Sequence, residues 1–158
     1  MQGMAFFAIK GTQVDGHDFI DIVIEQGCKT VVCEHISGIL KDDVTYYVVG
    51  NTAKTLGYAA SEFYGRPSEK LRLVGVTGTN GKTTVTYMIK HILESYGIKT
   101  GIIGTLGCKF GDKCIDTGLT TPDPAVLFKI LREMVDDGVK VVLMEVSAHA
   151  IELNKIDC

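Results

Sequence analysis

The chain has 158 residues, 46% of them hydrophobic and 22% charged, with a formal net charge of −3; this is ordinary for a globular chain of one domain or two small ones. No cluster of Lys and Arg builds the basic face that a nucleic-acid or anionic-membrane binder uses, and no apolar run approaches the roughly 20 residues of a membrane span. The opening MQGMAFFAIK lacks the basic flank and apolar length of a signal peptide, so the expectation is a cytoplasmic protein with neither nucleic acid nor membrane as a partner.

In chain order, Ala5 to Ile9 is a short apolar run, followed by a turn through Gly11 and Gly16. A helical pattern then places Phe19, Ile20, Val23 and Ile24 on one face and stops at Gly27. Thr30 to Cys33, β-branched and apolar, reads as a buried strand, and Tyr46 to Val49 as another strand. Asn51 or Thr52 caps a helix carrying Ala53, Leu56, Ala60, Phe63 and Tyr64.

The run Gly65-Arg66-Pro67-Ser68 breaks the pattern, and the chain divides there into residues 1–66 and 67–158. Leu71 to Val76 reads as a strand, and a glycine-rich loop follows it. The next helix has Val85, Met88, Ile89, Ile92, Leu93 and Tyr96 at a 3.6-residue period, with Gly97 at its end. Thr100 to Ile103 is a further strand, leading into a hairpin around Gly111. Thr121-Pro122 looks like a cap and first-turn proline of a helix with Val126, Leu127, Ile130, Leu131, Met134 and Val135 inward. Val139 to Met144 is a hydrophobic strand ending at Glu145. Strand–helix alternation of this kind implies an α/β fold: a small α/β domain, then the first part of a P-loop domain with a mostly parallel sheet. The five cysteines, Cys28, Cys33, Cys108, Cys114 and Cys158, form no C-x-x-C pair, which speaks against a zinc site or disulfide framework.

Three segments carry chemistry. Gly78-Thr79-Asn80-Gly81-Lys82-Thr83-Thr84 lies between a strand and a helix. Its glycines let backbone N–H groups turn toward a polyphosphate, and the helix adds its positive end. Lys82 reaches the outer phosphates, and the Thr83 hydroxyl suits a magnesium ion. Val76 stands where the general motif has Gly or Ala, so this is a variant loop. Glu145, at the carboxyl end of a buried strand, is placed to face the phosphates and hold magnesium; a solvent-exposed strand end explains it equally well by position alone. Thr120 and Thr121 suit an anion at a helix start, although a cap accounts for Thr121 by itself. His149, close after Ser147, is read as a packed side chain.

Together these pieces resemble the Mur ligases, the ATP-dependent amide-forming enzymes of peptidoglycan synthesis. TGTNGKTT (Thr77 to Thr84) is similar to the family's ATP loop, which folylpolyglutamate synthetases share. FFAIKGTQVDGHDFI (Phe6 to Ile20), LTTPDP (Leu119 to Pro124) and MEVSAHAI (Met144 to Ile151) narrow the resemblance to the UDP-N-acetylmuramyl-tripeptide synthetase branch. The resemblance implies that Gly78 through Thr84 hold ATP, that Lys82 and Glu145 serve catalysis, and that Thr83 and Glu145 bind Mg2+. It also implies that Thr120, Thr121, Ser147 and Lys155 contact the muramyl peptide and that Thr12, Gln13 and Val14 line the uridine diphosphate end. The implied partners are UDP-N-acetylmuramyl-dipeptide and a diamino acid, meso-diaminopimelate or lysine, joined through an acyl phosphate by an enzyme that is a monomer at full length. Ala148 replaces the second serine of the last segment, and Lys155 stands where the family has an arginine, without its bidentate fork. The expectation is an N-terminal fragment that holds substrates but does not turn over by itself. The alternatives are a sibling Mur ligase, a folylpolyglutamate synthetase, which lacks the first domain, and a nucleotide-binding module that ligates nothing.

Overall fold

The computed structural model describes residues 3–36, 40–153 and 156. The chain forms two compact units, 1–56 and 57–158.

In the first unit, β1 (Ala5–Phe7), β2 (Thr30–Cys33) and β3 (Thr45–Val48) form a three-stranded parallel sheet in that order. A 3-10 turn, Gly16–Phe19, leads into α1 (Ile20–Glu25). Ile20 and Ile24 of α1 pack on Ala8, Val31, Cys33 and Val44; Phe19, expected on the same face, lies in the 3-10 turn and is exposed. The helix α2 (Thr52–Phe63) starts here. Asn51 Oδ1 accepts from the Lys54 N–H at 2.8 Å, as a cap does. Thr52 is fully buried instead, its hydroxyl donating to Ala8 O at 3.0 Å. The division between the units falls within α2. At the Gly65–Arg66 break, both residues take positive φ.

The second unit is a five-stranded sheet in the order β4 (Arg72–Val76), β8 (Val141–Glu145), β5 (Thr100–Gly104), β6 (Gly107–Phe110), β7 (Lys113–Ile115). The pairs β4–β8 and β8–β5 are parallel, and β5–β6–β7 is an antiparallel meander whose β6–β7 connection is the hairpin around Gly111. Because successive strand residues face opposite sides, Ile103 and Val142 meet α4 (Pro124–Asp136) on one face through Leu127, Phe128, Ile130, Leu131 and Met134. Ile102, Val141 and Leu143 meet Tyr87, Ile89 and Leu93 of α3 (Lys82–Ser95) on the other. The α/β class therefore stands as the strand–helix alternation implies.

Several side-chain expectations change. On α3 the inward stripe runs through the buried Thr86 and the half-buried Ile89 and Leu93, whereas Val85, Met88 and Ile92, with Tyr96 just beyond the helix, are exposed, Tyr96 at 80%. The helix is apolar around much of its girth, so periodicity alone does not select the stripe; the strands beneath it do. Val126 on α4 and Phe63 on α2 are likewise exposed, and Phe128 is buried. The helix α4 begins at Pro124 after Asp123, so Thr121 is no cap. Cys108 and Cys114 stand one register position off direct pairing across β6–β7, one buried and one exposed, so they face opposite sides of the ribbon. Burial pushes the Cys108 thiol up to about 11.

Candidate functional site

The strand β4 ends at Val76, and Val76 is paired with Glu145 at the end of β8. Two strand ends therefore emerge side by side at the carboxyl edge of the parallel strands, where open α/β sheets take ligands. From Val76 the chain enters the loop; from Glu145 it enters a short helix, α5 (Ala148–Glu152).

The loop turns by using positive φ at Gly78 (137°) and at Gly81 (81°), the residue that opens α3. A side chain is strained at either φ, so only glycine holds this path readily. Lys82 is the first residue of α3, and its Nζ donates to Gly78 O at 2.7 Å, which keeps the ammonium over the loop. Thr86, fully buried, donates to Thr83 O at 2.8 Å and anchors the first turn.

A cleft of about 290 Å³ opens at this edge, lined by Thr79, Asn80, Gly81, Lys82, Thr83, Thr84, Thr105 and Glu145. The phosphate loop and Glu145, 60 residues and more apart in sequence, thus share one cavity. Glu145 is 1% exposed. Its Oε2 accepts from Thr105 Oγ1 at 3.0 Å and its Oε1 from the Thr105 N–H at 3.3 Å. No ion pair reaches it among the described residues. The backbone of β5 comes very close: a Cβ on Gly104 would lie 2.6 Å from Glu145 Cδ and 2.8 Å from its Cγ. Glycine at 104 leaves the room the Glu145 side chain occupies.

Thr120 and Thr121 diverge in role. Thr120 is half-buried and its Oγ1 lies 3.1 Å from Thr105 Oγ1, next to the cleft. Thr121 is buried; its hydroxyl donates to Glu145 O at 3.0 Å and accepts from the Ser147 N–H at 3.3 Å. These two bonds tie the 119–123 segment to the exit of β8. Ser147 Oγ accepts from the Ala150 N–H at 3.1 Å as the cap of α5, so its own proton stays available. His149 is exposed on α5, contrary to the packed position expected. Lys155 falls outside the described residues.

In the first unit, Thr12, Gln13 and Val14 form the exposed tip of a tight loop closed by the Lys10–Asp15 bridge and by the Gly11 N–H donating to Val14 O at 2.9 Å. A latch around the buried His17 holds its base. Asp15 Oδ1 accepts from the His17 N–H at 3.0 Å and lies 2.6 Å from its Nδ1. His17 Nε2 accepts from the Glu34 N–H at 2.9 Å, which assigns the ring proton to Nδ1. The His17 amide and ring hold the Asp15 carboxyl below its ordinary range.

Sequence reading missed Thr105 and Gly104. The one local signal was a glycine and a hydroxyl directly after a buried strand. Their partner, Glu145, becomes visible only once β5 is in register with β8.

A strand–loop–helix phosphate cradle at the carboxyl edge of a parallel β4–β8–β5 core, with an acid on the neighbouring strand, defines an α/β protein of the P-loop class. Residues 76–158 match the family description "Mur ligase middle domain", and residues 1–64 match "Mur ligase family, catalytic domain"; the chain belongs to the Mur ligase family. It is 46% identical over 154 residues to the UDP-N-acetylmuramoyl-L-alanyl-D-glutamate–2,6-diaminopimelate ligase of Phocaeicola vulgatus, an alignment covering 98% of this chain and 32% of that protein. It is 46% identical over 153 residues to the enzyme of the same name from Clostridium tetani, covering 96% and 32%. The chain thus spans about a third of the length of the relatives it matches. In fold it resembles a solved structure of a ligase with that name (TM-score 0.76, 22% identity, covering 98% of this chain and 31% of that one). It also resembles the MurF ligase of Thermotoga maritima in complex with ADP (TM-score 0.55, 25% identity, covering 92% and 29%). Among the described residues no helix is long and apolar enough to cross a membrane.

Proposed function

We propose that this chain supplies the nucleotide and muramyl-peptide binding regions of a cytoplasmic, ATP-dependent amide ligase of peptidoglycan precursor synthesis. The reaction adds a diamino acid to UDP-N-acetylmuramyl-L-alanyl-D-glutamate; the names of the relatives favour 2,6-diaminopimelate over lysine. The observation that supports this reading is the one cleft shared by Thr79 to Thr84 of the loop, Lys82 among them, and Glu145.

The loop amides and the Lys82 ammonium bind and orient the phosphates of ATP, so that the γ-phosphoryl group faces the substrate carboxylate. Phosphoryl transfer needs mainly such positioning and charge neutralisation. Glu145 and the Thr83 hydroxyl fit a magnesium ion, because a carboxylate withdrawn from water with no cationic partner among the described residues calls for one, and both groups are hard oxygen donors. Magnesium bound there supplies positive charge against the phosphate oxygens. Attack of the terminal glutamate carboxylate on the γ-phosphorus yields an acyl phosphate and ADP; the diamino-acid amine then displaces phosphate to form the amide. Thr120 and Ser147, together with Lys155, contact the muramyl peptide. Thr12, Gln13 and Val14 line the site for the uridine diphosphate end. Thr121 acts by fixing the 119–123 segment to β8, since its proton is already committed to Glu145 O.

Calorimetric titration of the chain with Mg·ATP tests the reading. The wild type binds, and Lys82→Ala loses about 2–5 kcal/mol of affinity, as for removing one partner of a desolvated charge contact. Equal affinity of the two proteins removes Lys82, and with it this reading, from the cleft.

A further inference from the structure

Glu145 is almost completely withdrawn from solvent, so its orientation depends on the few groups that bond it. Among the described residues, both donors to its side chain come from one residue, Thr105, through the backbone N–H and Oγ1. Thr105 follows the last residue of β5, and Gly104 there is bare, so the carboxylate lies against the β5 backbone. The same Thr105 hydroxyl lies 3.1 Å from Thr120 Oγ1. Thr105 Oγ1 donates to Glu145 Oε2, and a hydroxyl carries a single proton. The Thr105 proton is therefore directed to Oε2, and the Thr120 hydroxyl must donate to Thr105 Oγ1. The order Thr120 to Thr105 to Glu145 is thus fixed by proton count.

We propose that Thr105 is the positioning residue of the cleft: it aims the Glu145 carboxylate at the phosphate loop and, through one hydroxyl relay, couples that carboxylate to Thr120 on the substrate side. Two consequences follow. Two of the roughly four lone-pair directions of the carboxylate are taken by Thr105, and the others remain for a cation in the cleft. Thr120, its proton turned inward, presents lone pairs outward and so recognises an N–H or O–H donor of the substrate, such as an amide, rather than an anionic oxygen.

This inference rests on the nucleotide reading above. The test uses ADP titrations of the chain with Mg2+ and in EDTA, on the wild type, Thr105→Val and Thr105→Ser, with a thermal melt of each. Thr105→Val keeps the backbone N–H and the branched shape but removes the hydroxyl; if Val is not tolerated, Thr105→Ala gives the same information. The wild type binds ADP more tightly with Mg2+ than in EDTA. Thr105→Val loses about tenfold of that Mg2+-dependent gain, the scale of one hydrogen bond to a charged group, while its affinity in EDTA stays within twofold and Thr105→Ser behaves as wild type. An equal loss with and without Mg2+, or no loss, overturns the role given to Thr105. Absence of ADP binding by the wild type overturns the nucleotide reading itself, a failure visible before any variant is compared.

Discussion

The two loops to which recognition roles are proposed here, Gly78–Thr84 and Thr12–Val14, are built differently. The phosphate loop of the second unit is shaped by its own consecutive residues, Gly78 to Thr84, which supply both the turn and the donors. The tip Thr12–Val14 of the first unit has no such resources. It is held from below by the Asp15–His17–Glu34 latch, whose members come from the loop base, the 3-10 turn and the end of β2. A loop that makes its own geometry is read from a motif. A loop that borrows its geometry is read only from the fold.

The comparison predicts where substitutions do most harm. The greatest effect falls on the crowded end of β5: Gly104→Ala forces a methyl into the Glu145 side chain and lowers stability by about 3 kcal/mol in urea denaturation, the upper range for overpacking. A cost below about 0.5 kcal/mol would show that Glu145 moves aside freely. Next, His17→Ala leaves the Glu34 N–H and Asp15 without their partner and lowers stability by about 2 kcal/mol, while ADP affinity at the cleft is unchanged. Joint loss of both would erase the contrast between the loops.

Acid provides a gentler probe of the latch. Asp15 titrates in the folded chain below its ordinary 3.8 because His17 donates to it. Its contribution is therefore present above pH 3.8 and is lost as pH falls through the lower folded value. Asp15→Asn should flatten that part of the acid limb of stability against pH; an identical limb removes Asp15 from the latch. The smallest effect is expected at the surface: Glu94→Gln breaks the exposed i,i+4 pair with Lys90 and shifts stability by less than about 0.5 kcal/mol.

The same contrast explains what could be read from the sequence. The strands, the phosphate loop and the helix after it follow from neighbouring residues, and so did the assignment of Lys82 to the loop. Glu145 was a candidate by position, but its environment depends on Thr105, 40 residues away, and on the β5–β8 register. Thr121 looked like a cap because a proline follows it, yet its hydroxyl is bonded across to the exit of β8 and Pro124 takes the first turn instead. On α3, Met88 and Ile92 share the apolar period with Ile89 and Leu93, and only the strands beneath decide which pair packs inward. The latch was invisible because Asp15, His17 and Glu34 form no pattern along the chain.

The most direct measurement is the amide spectrum of isotopically labelled chain titrated with Mg·ADP. The account predicts that the resonances of Gly78 to Thr84 and of Thr105 move together, at one ligand concentration, as members of one site. Movement of the loop amides while Thr105 stays fixed, or of neither, would contradict a cleft in which the phosphate loop and the Glu145 grip act on the same ligand.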